Sequence, residues 1–370
     1  MSDAGRAGES AGRWQECAPT SVDRRRWLLA ALALAAASAN AASTRRAAAT
    51  GRPADPPYSK RAEVQHFIER LVDEQSLPRP WLEQVLDSGR YSARVEKLMT
   101  PSVTPPPRDW ARYRARALDA ARLRDALAYR QAHRETLARA TGEFGVPAEI
   151  VVSIIGIETM FGRVTGTFRT LDALLTLAFD YPRRAVYYRE ELAHFLVLGH
   201  DGRIDVLNQT GSFAGAIGLP QFMPGSIRRY ALDYDGDERI DLSRSPADAI
   251  GSVANYLHQQ GWQRELPVIF NATADASIAE RLGHGISAVQ TWAEVAELGV
   301  RIDGYLPPDT RVLLLDLPFV RNDGSTGVEY RLGTANLATI LHYNRSYFYA
   351  AAVTEFADAL THSISLSIDQ

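Results

Sequence analysis

The sequence predicts an α+β chain that is predominantly α. Apolar residues recur at helical spacing, as in Val64, Phe67, Ile68, Leu71 and Val72, through most of the 370 residues. Between about Glu265 and Arg331 the pattern changes, and RVLLLDLPFV and VEYRLG read as strands around a turn at Asn322-Asp323-Gly324. A hydrophobic content of 46% with 23% charged residues is that of a globular chain with a large core. The net charge of −3 supplies no basic field, which argues against a nucleic-acid partner. The single cysteine, Cys17, excludes an intrachain disulfide and cysteine-based zinc sites. The eight histidines form no HExxH pair, and no Gly-x-Ser-x-Gly elbow is present.

Residues 1–41 read as a secretory signal peptide. Three arginines at 24–26 precede an apolar run from Trp27 to about Ala37, followed by small residues that suit cleavage. The run is short for a stable membrane span. Arg25-Arg26 is a weak twin-arginine signal, and Cys17 precedes the apolar run, where no lipid would be attached. The expectation is an exported, soluble, periplasmic protein. Residues 42–60 read as a flexible leader.

Helix begins at Arg61, breaks at Pro78 and Pro80, and resumes in WLEQVLDSGRYS. TPSVTPPPRDW (100–110) is a proline-rich connector, and a long helical stretch rich in Ala and Arg is predicted from about Ala111 to Thr141. Gly145-Val146-Pro147 ends it, and Pro147 suits the first turn of the helix that carries Glu158. Helices follow in LDALLTLAF and RRAVYYREELAHFLVLG. Next come a glycine-rich segment at 211–226, an aspartate-rich loop, the helix SPADAIGSVANYLHQQGW, and a return to helix in LATILHYNRSYFYAAAVTEFADAL.

Four constellations carry chemistry. Glu158 is the lone carboxylate at the end of the run Ile150–Ile157, where only Ser153 is polar. Burial there would raise its pKa and hold its proton near neutrality, as a general acid requires. The plainer reading is a helix-end glutamate satisfied by backbone or by an arginine, with Arg163 the candidate. GSFAGAIGLPQFMP offers three glycines for close approach, with Ser212 and Gln221 as uncharged hydrogen-bonding groups for a sugar. The plainer reading is a loop packed tightly on a helix. In DYDGDERID, Asp233, Asp235, Asp237 and Asp241 take positions 1, 3, 5 and 9 of an EF-hand-like loop. Glycine sits at position 4 instead of 6, and position 12 is Arg244, so Asp248 is the candidate closing ligand. The plainer reading is a solvated acidic turn. HYNRSYFY (342–349), with Tyr256, supplies aromatic faces and amide groups that suit pyranose rings, or an ordinary helix interface.

Together, IIGIETMFGRVTG, TLDALLTLAFDYPRRA, GSFAGAIGLPQFMPGSIRRYALDYDGD, DAIGSVANYLHQQGW and LHYNRSYFYA resemble the lytic murein transglycosylase B family, glycoside hydrolase family 103. They occur in the family's order over roughly residues 60–360. The resemblance implies a lysozyme-like core with a flanking helical domain and a small β-containing region. The implied divisions are an N-terminal helical region (61–142), a catalytic core (143–262), the β-containing region (263–335) and a C-terminal helical region completing the cleft (336–370). It implies Glu158 as catalytic acid/base and Tyr113, Ser212, Gln221, Tyr256, Tyr343, Asn344 and Tyr349 as cleft residues. It further implies a structural calcium ion, not needed for the chemistry, held by Asp233, Asp235, Asp237, Arg239 through its carbonyl, Asp241 and Asp248. This sequence has Asp235 where the family can carry serine, and one more residue before Asp248.

The activity so implied is cleavage of the β-1,4 bond between N-acetylmuramic acid and N-acetylglucosamine in peptidoglycan, without water, giving 1,6-anhydro products. Peptidoglycan strands are the partner, with cell-wall synthesis or division proteins as further candidates. Two other readings stand beside it. A lysozyme-type hydrolase would need a second carboxylate, for which Asp172, Asp201 and Asp205 are the nearby candidates. A non-catalytic peptidoglycan-binding protein would have no use for Glu158.

Overall fold

Local caps, more than apolar spacing, decide where the helices begin and end. The computed structural model describes residues 56–368 except 103, 283, 284 and 288; the expected signal peptide, Cys17 and most of the leader lie outside the described residues. α1 (Ala62–Gln75) buries Val64, Phe67, Ile68 and Leu71 and ends at Ser76 in the left-handed region. α2 (Arg79–Asp87) starts with proline in its first turn, and α3 (Ala93–Met99) is capped by the Ser92 side chain.

The helical stretch expected over 111–141 is divided into three helices: α4 (Trp110–Ala117), α5 (Ala120–Ala132) and α6 (Arg134–Phe144). Alanine and arginine give helix propensity but no stop signal, so the breaks rest on single residues. Asp119 takes extended backbone and accepts the Arg122 amide at 2.9 Å, an N-cap that starts a new helix. His133 leaves helical geometry (φ −116°, ψ 24°) and separates α5 from α6.

α7 (Ala148–Thr159) is the centre of the molecule, buried from Ile150 to Ile157. Its valines and isoleucines prefer strands in isolation, but a helix apolar all round is stable once covered on every side. α5, α6, α11 (Pro246–Gln259) and α15 (Tyr347–Ile368) provide that cover. At Gly156 the approach is so close that a Cβ would lie 2.6 Å from the Phe161 ring and 3.1 Å from Phe356 of α15.

A two-residue ladder pairs β1 (Phe168–Arg169) with β2 (Thr210–Gly211). Between them run α8 (Thr170–Leu175), a π-helical turn at Thr176–Asp180, and α9 (Ala185–His200). α10 (Pro224–Tyr230) follows the glycine-rich loop. The strands β3 (Ile269–Thr273), β4 (Gln290–Thr291), β5 (Arg301–Ile302), β6 (Arg311–Val320) and β7 (Thr326–Thr334) form one antiparallel sheet in the order β4-β6-β7-β3-β5. The β6–β7 hairpin turns where the sequence places it, with Asp323 accepting the Ser325 amide at 2.9 Å. With α12 (Ala276–Leu282) and α13 (Trp292–Glu297), the sheet closes a small core of Val295, Val300, Leu306, Val312 and Leu332.

α14 (Ala335–Tyr343) leaves β7 under a Thr334 cap and leads to α15. Glu355 of α15 pairs with Arg114 of α4 and, at 3.4 Å, with Arg331 of β7. This ties the sheet and the N-terminal helices to the helix that covers α7. Among the described residues, no single helix is long and apolar enough to cross a membrane.

Candidate active site

Glu158 occupies the last turn of α7, and the chain turns sharply behind it. Met160, Phe161 and Gly162 take successive left-handed φ values of 52°, 59° and 88°. For the two non-glycine residues such backbone costs on the order of 1 kcal/mol each. Thr159 holds the turn: its hydroxyl donates to the Leu219 carbonyl at 2.9 Å and accepts the Gly162 amide at 3.1 Å. The glycine-rich loop is thereby fastened to the residue next to Glu158.

The Glu158 side chain is partly accessible but densely surrounded by protein. Burial pushes its pKa up from 4.5 to about 7, and the Tyr349 hydroxyl pulls in the opposite direction. That hydroxyl faces the carboxyl but stands outside hydrogen-bond geometry. No charged neighbour contributes to the shift. Arg163, the candidate counter-ion, instead pairs with Asp125. Arg163 follows the left-handed turn, which directs it away from the carboxyl toward α5.

Three tyrosines surround Glu158. Burial, and after it the charge of Glu158, raises the pKa of Tyr113, Tyr343 and Tyr349. The rings of Tyr343 and Tyr349 lie nearly parallel, 6.4 Å apart, and Tyr256 meets Tyr343 edge-on at 5.0 Å. Tyr113 packs against Phe348 at 5.6 Å. Tyr343 donates to the Pro220 carbonyl, which brings the glycine-rich loop to the same wall. Asn344 Oδ1 and Tyr349 Oη are buried without a hydrogen-bond partner. Buried polar atoms are normally paired, so these two are exceptions.

In the loop, Ser212 Oγ accepts the Ala216 amide at 3.0 Å and keeps its own proton to donate. Gln221, at φ 51°, donates its side-chain amide to Thr165 and Gly218 carbonyls at 3.1 and 2.9 Å, leaving Oε1 as an acceptor. The glycines serve close approach: a Cβ on Gly218 would lie 2.4 Å from the Leu242 carbonyl oxygen, and one on Gly166 would lie 2.1 Å from that of Gly211. Sequence reasoning missed Thr159 and Phe348; it also missed Trp110, whose ring stacks on Tyr113 at 6.2 Å, and Phe222, which packs on Tyr256 and Tyr343 at 5.6 and 5.8 Å. Phe222 lies in PQFMP, and Trp110 and Phe348 flank quoted tyrosines; an isolated threonine beside Glu158 gives no signal.

Two of the candidate second carboxylates, Asp172 and Asp205, are engaged locally. Asp172 accepts the Arg90 amide at 2.9 Å and pairs with Arg169 at 3.1 Å. Asp205 caps its own turn at the Leu207 and Asn208 amides, and Asp201 lies 3.8 Å from His200.

The acidic loop brings carboxylate oxygens of Asp233, Asp235 and Asp248 within 4.8 Å of one another. Asp248 is buried in the first turn of α11 and accepts the Tyr234 and Asp241 amides at 2.7 and 2.8 Å. Ser245 donates to Asp235 at 2.6 Å. Asp237 accepts the Arg239 amide, and Asp241 accepts those of Ser243 and Arg244, all at 2.9 Å. Three converging hard oxygen donors fit a cation such as calcium.

Residues 59–358 match the family described as the Transglycosylase SLT domain. The chain is 37% identical over 313 residues to the membrane-bound lytic murein transglycosylase B of Escherichia coli (strain K12), covering 82% of this chain and 84% of that protein. The fold is similar to the soluble lytic transglycosylase SltB1 of Pseudomonas aeruginosa, with a TM-score of 0.74 and 38% identity over 82% of this chain and 99% of that one. It is also similar to the Escherichia coli lytic transglycosylase Slt35 in complex with calcium, with a TM-score of 0.71 and 36% identity over 83% of this chain and 95% of that one.

Proposed function

The chain belongs to the lytic murein transglycosylase family with the Transglycosylase SLT domain, enzymes that act on peptidoglycan, and we propose that Glu158 is its single acid/base. The observation that carries this is a carboxyl pushed up to about 7 by burial, still partly accessible and free of any charged partner. Such a group is protonated often enough at neutral pH to give a proton and basic enough, once ionised, to take one back.

Glu158 donates its proton to the oxygen of the muramoyl-glucosaminyl bond as that bond breaks, and the glucosaminyl end leaves with a new hydroxyl. The positive charge on the muramoyl C1 is stabilised by the same sugar's 2-acetamido oxygen. The Glu158 carboxylate then accepts the proton of the C6 hydroxyl as O6 bonds to C1, closing the 1,6-anhydro ring. An internal nucleophile has a high effective concentration, so no water is activated and no second carboxylate is used. Local engagement of Asp172 and Asp205 supports this over hydrolysis.

Tyr113, Tyr256, Tyr343 and Tyr349 form the sugar-facing wall, and Asn344, Ser212 and Gln221 supply the polar contacts. The unpaired Asn344 and Tyr349 oxygens support that assignment. Asp233, Asp235 and Asp248 would hold a calcium ion, with Asp237, Asp241 and the Arg239 carbonyl completing the set. Bound there, the ion would offset carboxylate repulsion and stiffen the loop. We read residues 1–41 as an export signal, on the pattern of arginines, apolar run and small residues. Treating products with borohydride tests the chemistry: hydrated reducing ends are reduced, and anhydro ends stay as they are. Reducible ends from every cleavage would sink the proposal.

A further inference from the structure

A second pocket, of about 320 Å³, opens beside the aromatic wall and is lined by Arg229, Tyr230, Tyr256, Gln260, His342 and Arg345, with Ser226 at its edge. It shares Tyr256 with the site around Glu158, since Tyr256 meets Tyr343 at 5.0 Å. Arg229 and Arg345 approach the Tyr256 phenol from α10 and from the segment after α14, and both counteract the burial that raises its pKa. None of the lining residues is acidic. Among the described residues, Arg229 forms no ion pair with a carboxylate.

The polar groups between the arginines are fixed by a chain of hydrogen bonds. Gln260 Nε2 donates to the Tyr230 hydroxyl at 2.7 Å, and Gln260 Oε1 lies 2.9 Å from His342 Nδ1. Because that amide oxygen only accepts, the His342 proton is on Nδ1. Tyr230, having accepted from Gln260, keeps its own proton to donate. The pocket therefore presents two cations and an oriented hydroxyl donor, the equipment that binds a carboxylate.

We propose that this pocket is a subsite for a carboxylate on the lactyl-peptide arm of the muramoyl residue. The inference rests on the reading of the cleft as a glycan site. The muramoyl sugar differs from its neighbour by that arm, which carries either a free lactyl acid or the carboxylates of a peptide stem. Arginines adjoining a wall of sugar-stacking tyrosines would read the arm while the wall holds the ring, and would fix which sugar presents its C1 to Glu158.

The test compares wild type with Arg229→Gln and Arg345→Gln on three substrates: intact strands, strands whose stem carboxylates are converted to amides, and amidase-stripped strands with free lactyl acids. One lost charge-assisted bond is worth about a tenfold change in KM. The expected result is a KM raised about tenfold on a carboxylate-bearing substrate and not on the amidated strands, with Arg→Lys restoring much of the loss. A penalty confined to intact strands assigns the stem, and one present on stripped strands assigns the lactyl acid. An equal penalty on all three substrates, or none on any, overturns the subsite. Both arginines are exposed, so melting temperatures should match wild type. If wild type cleaves none of the three, the glycan reading has failed and the subsite with it.

Discussion

Thr159 donates its hydroxyl to the Leu219 carbonyl at 2.9 Å, so the residue following Glu158 fastens the glycine-rich loop to the end of α7. Thr159→Val leaves that buried carbonyl unpaired, at a cost of about 1–3 kcal/mol. The expected outcome is a lower melting temperature together with a lower kcat/KM, and Thr159→Ser should restore both. A valine variant with unchanged melting and turnover would show that the tie is dispensable.

On the proposed mechanism, the pKa of Glu158 near 7 sets the pH dependence of turnover. The acid form donates the first proton, so kcat/KM should fall as pH rises through about 7. In Tyr349→Phe the group that draws Glu158 down is gone, and the alkaline midpoint should move upward. A pH profile of purified protein on soluble glycan strands measures both. A midpoint unmoved in Tyr349→Phe contradicts the assigned role of that hydroxyl.

The same shift affects stability. The folded-state pKa lies above the ordinary value, so the folded protein holds a proton that the unfolded chain has lost between about 4.5 and 7. The stability contributed by Glu158 is full below that window and lost as pH rises through it. Glu158→Gln escapes the loss. It should melt like wild type at low pH and be more stable above neutrality by about 1–3 kcal/mol. Calorimetry at both ends of the window checks the sign.

Calcium at Asp233, Asp235 and Asp248 should raise the melting temperature by about 5 °C at saturating concentration. Asp233→Asn with Asp235→Asn should abolish the rise, and magnesium should give less of it, because fewer of its waters are surrendered. An equal rise in the double variant would place any calcium elsewhere.

Much of the candidate site was legible in the sequence because its residues are out of keeping with their surroundings. Glu158 stood out against eight nearly apolar neighbours, and the glycines at 211–226 implied the close approaches seen at Gly218. The β6–β7 hairpin was legible from its runs and turn residues, whereas β4 and β5 are two-residue strands with no pattern of their own. The break at Asp119 was hidden in a stretch whose propensity favours helix throughout, where a single cap decides the outcome. Arg163 was close to Glu158 in sequence and a natural counter-ion; three left-handed residues turn the chain between them. The Thr159–Leu219 bond joins positions sixty apart and leaves no local trace.

Mass spectrometry of sacculi digested with wild type and with Glu158→Gln tests the central claim most directly. Wild type should release muropeptides lighter by one water molecule than their hydrolysed counterparts, and the folded variant should release none. Products at the hydrated mass from wild type, or anhydro products from Glu158→Gln, would contradict it.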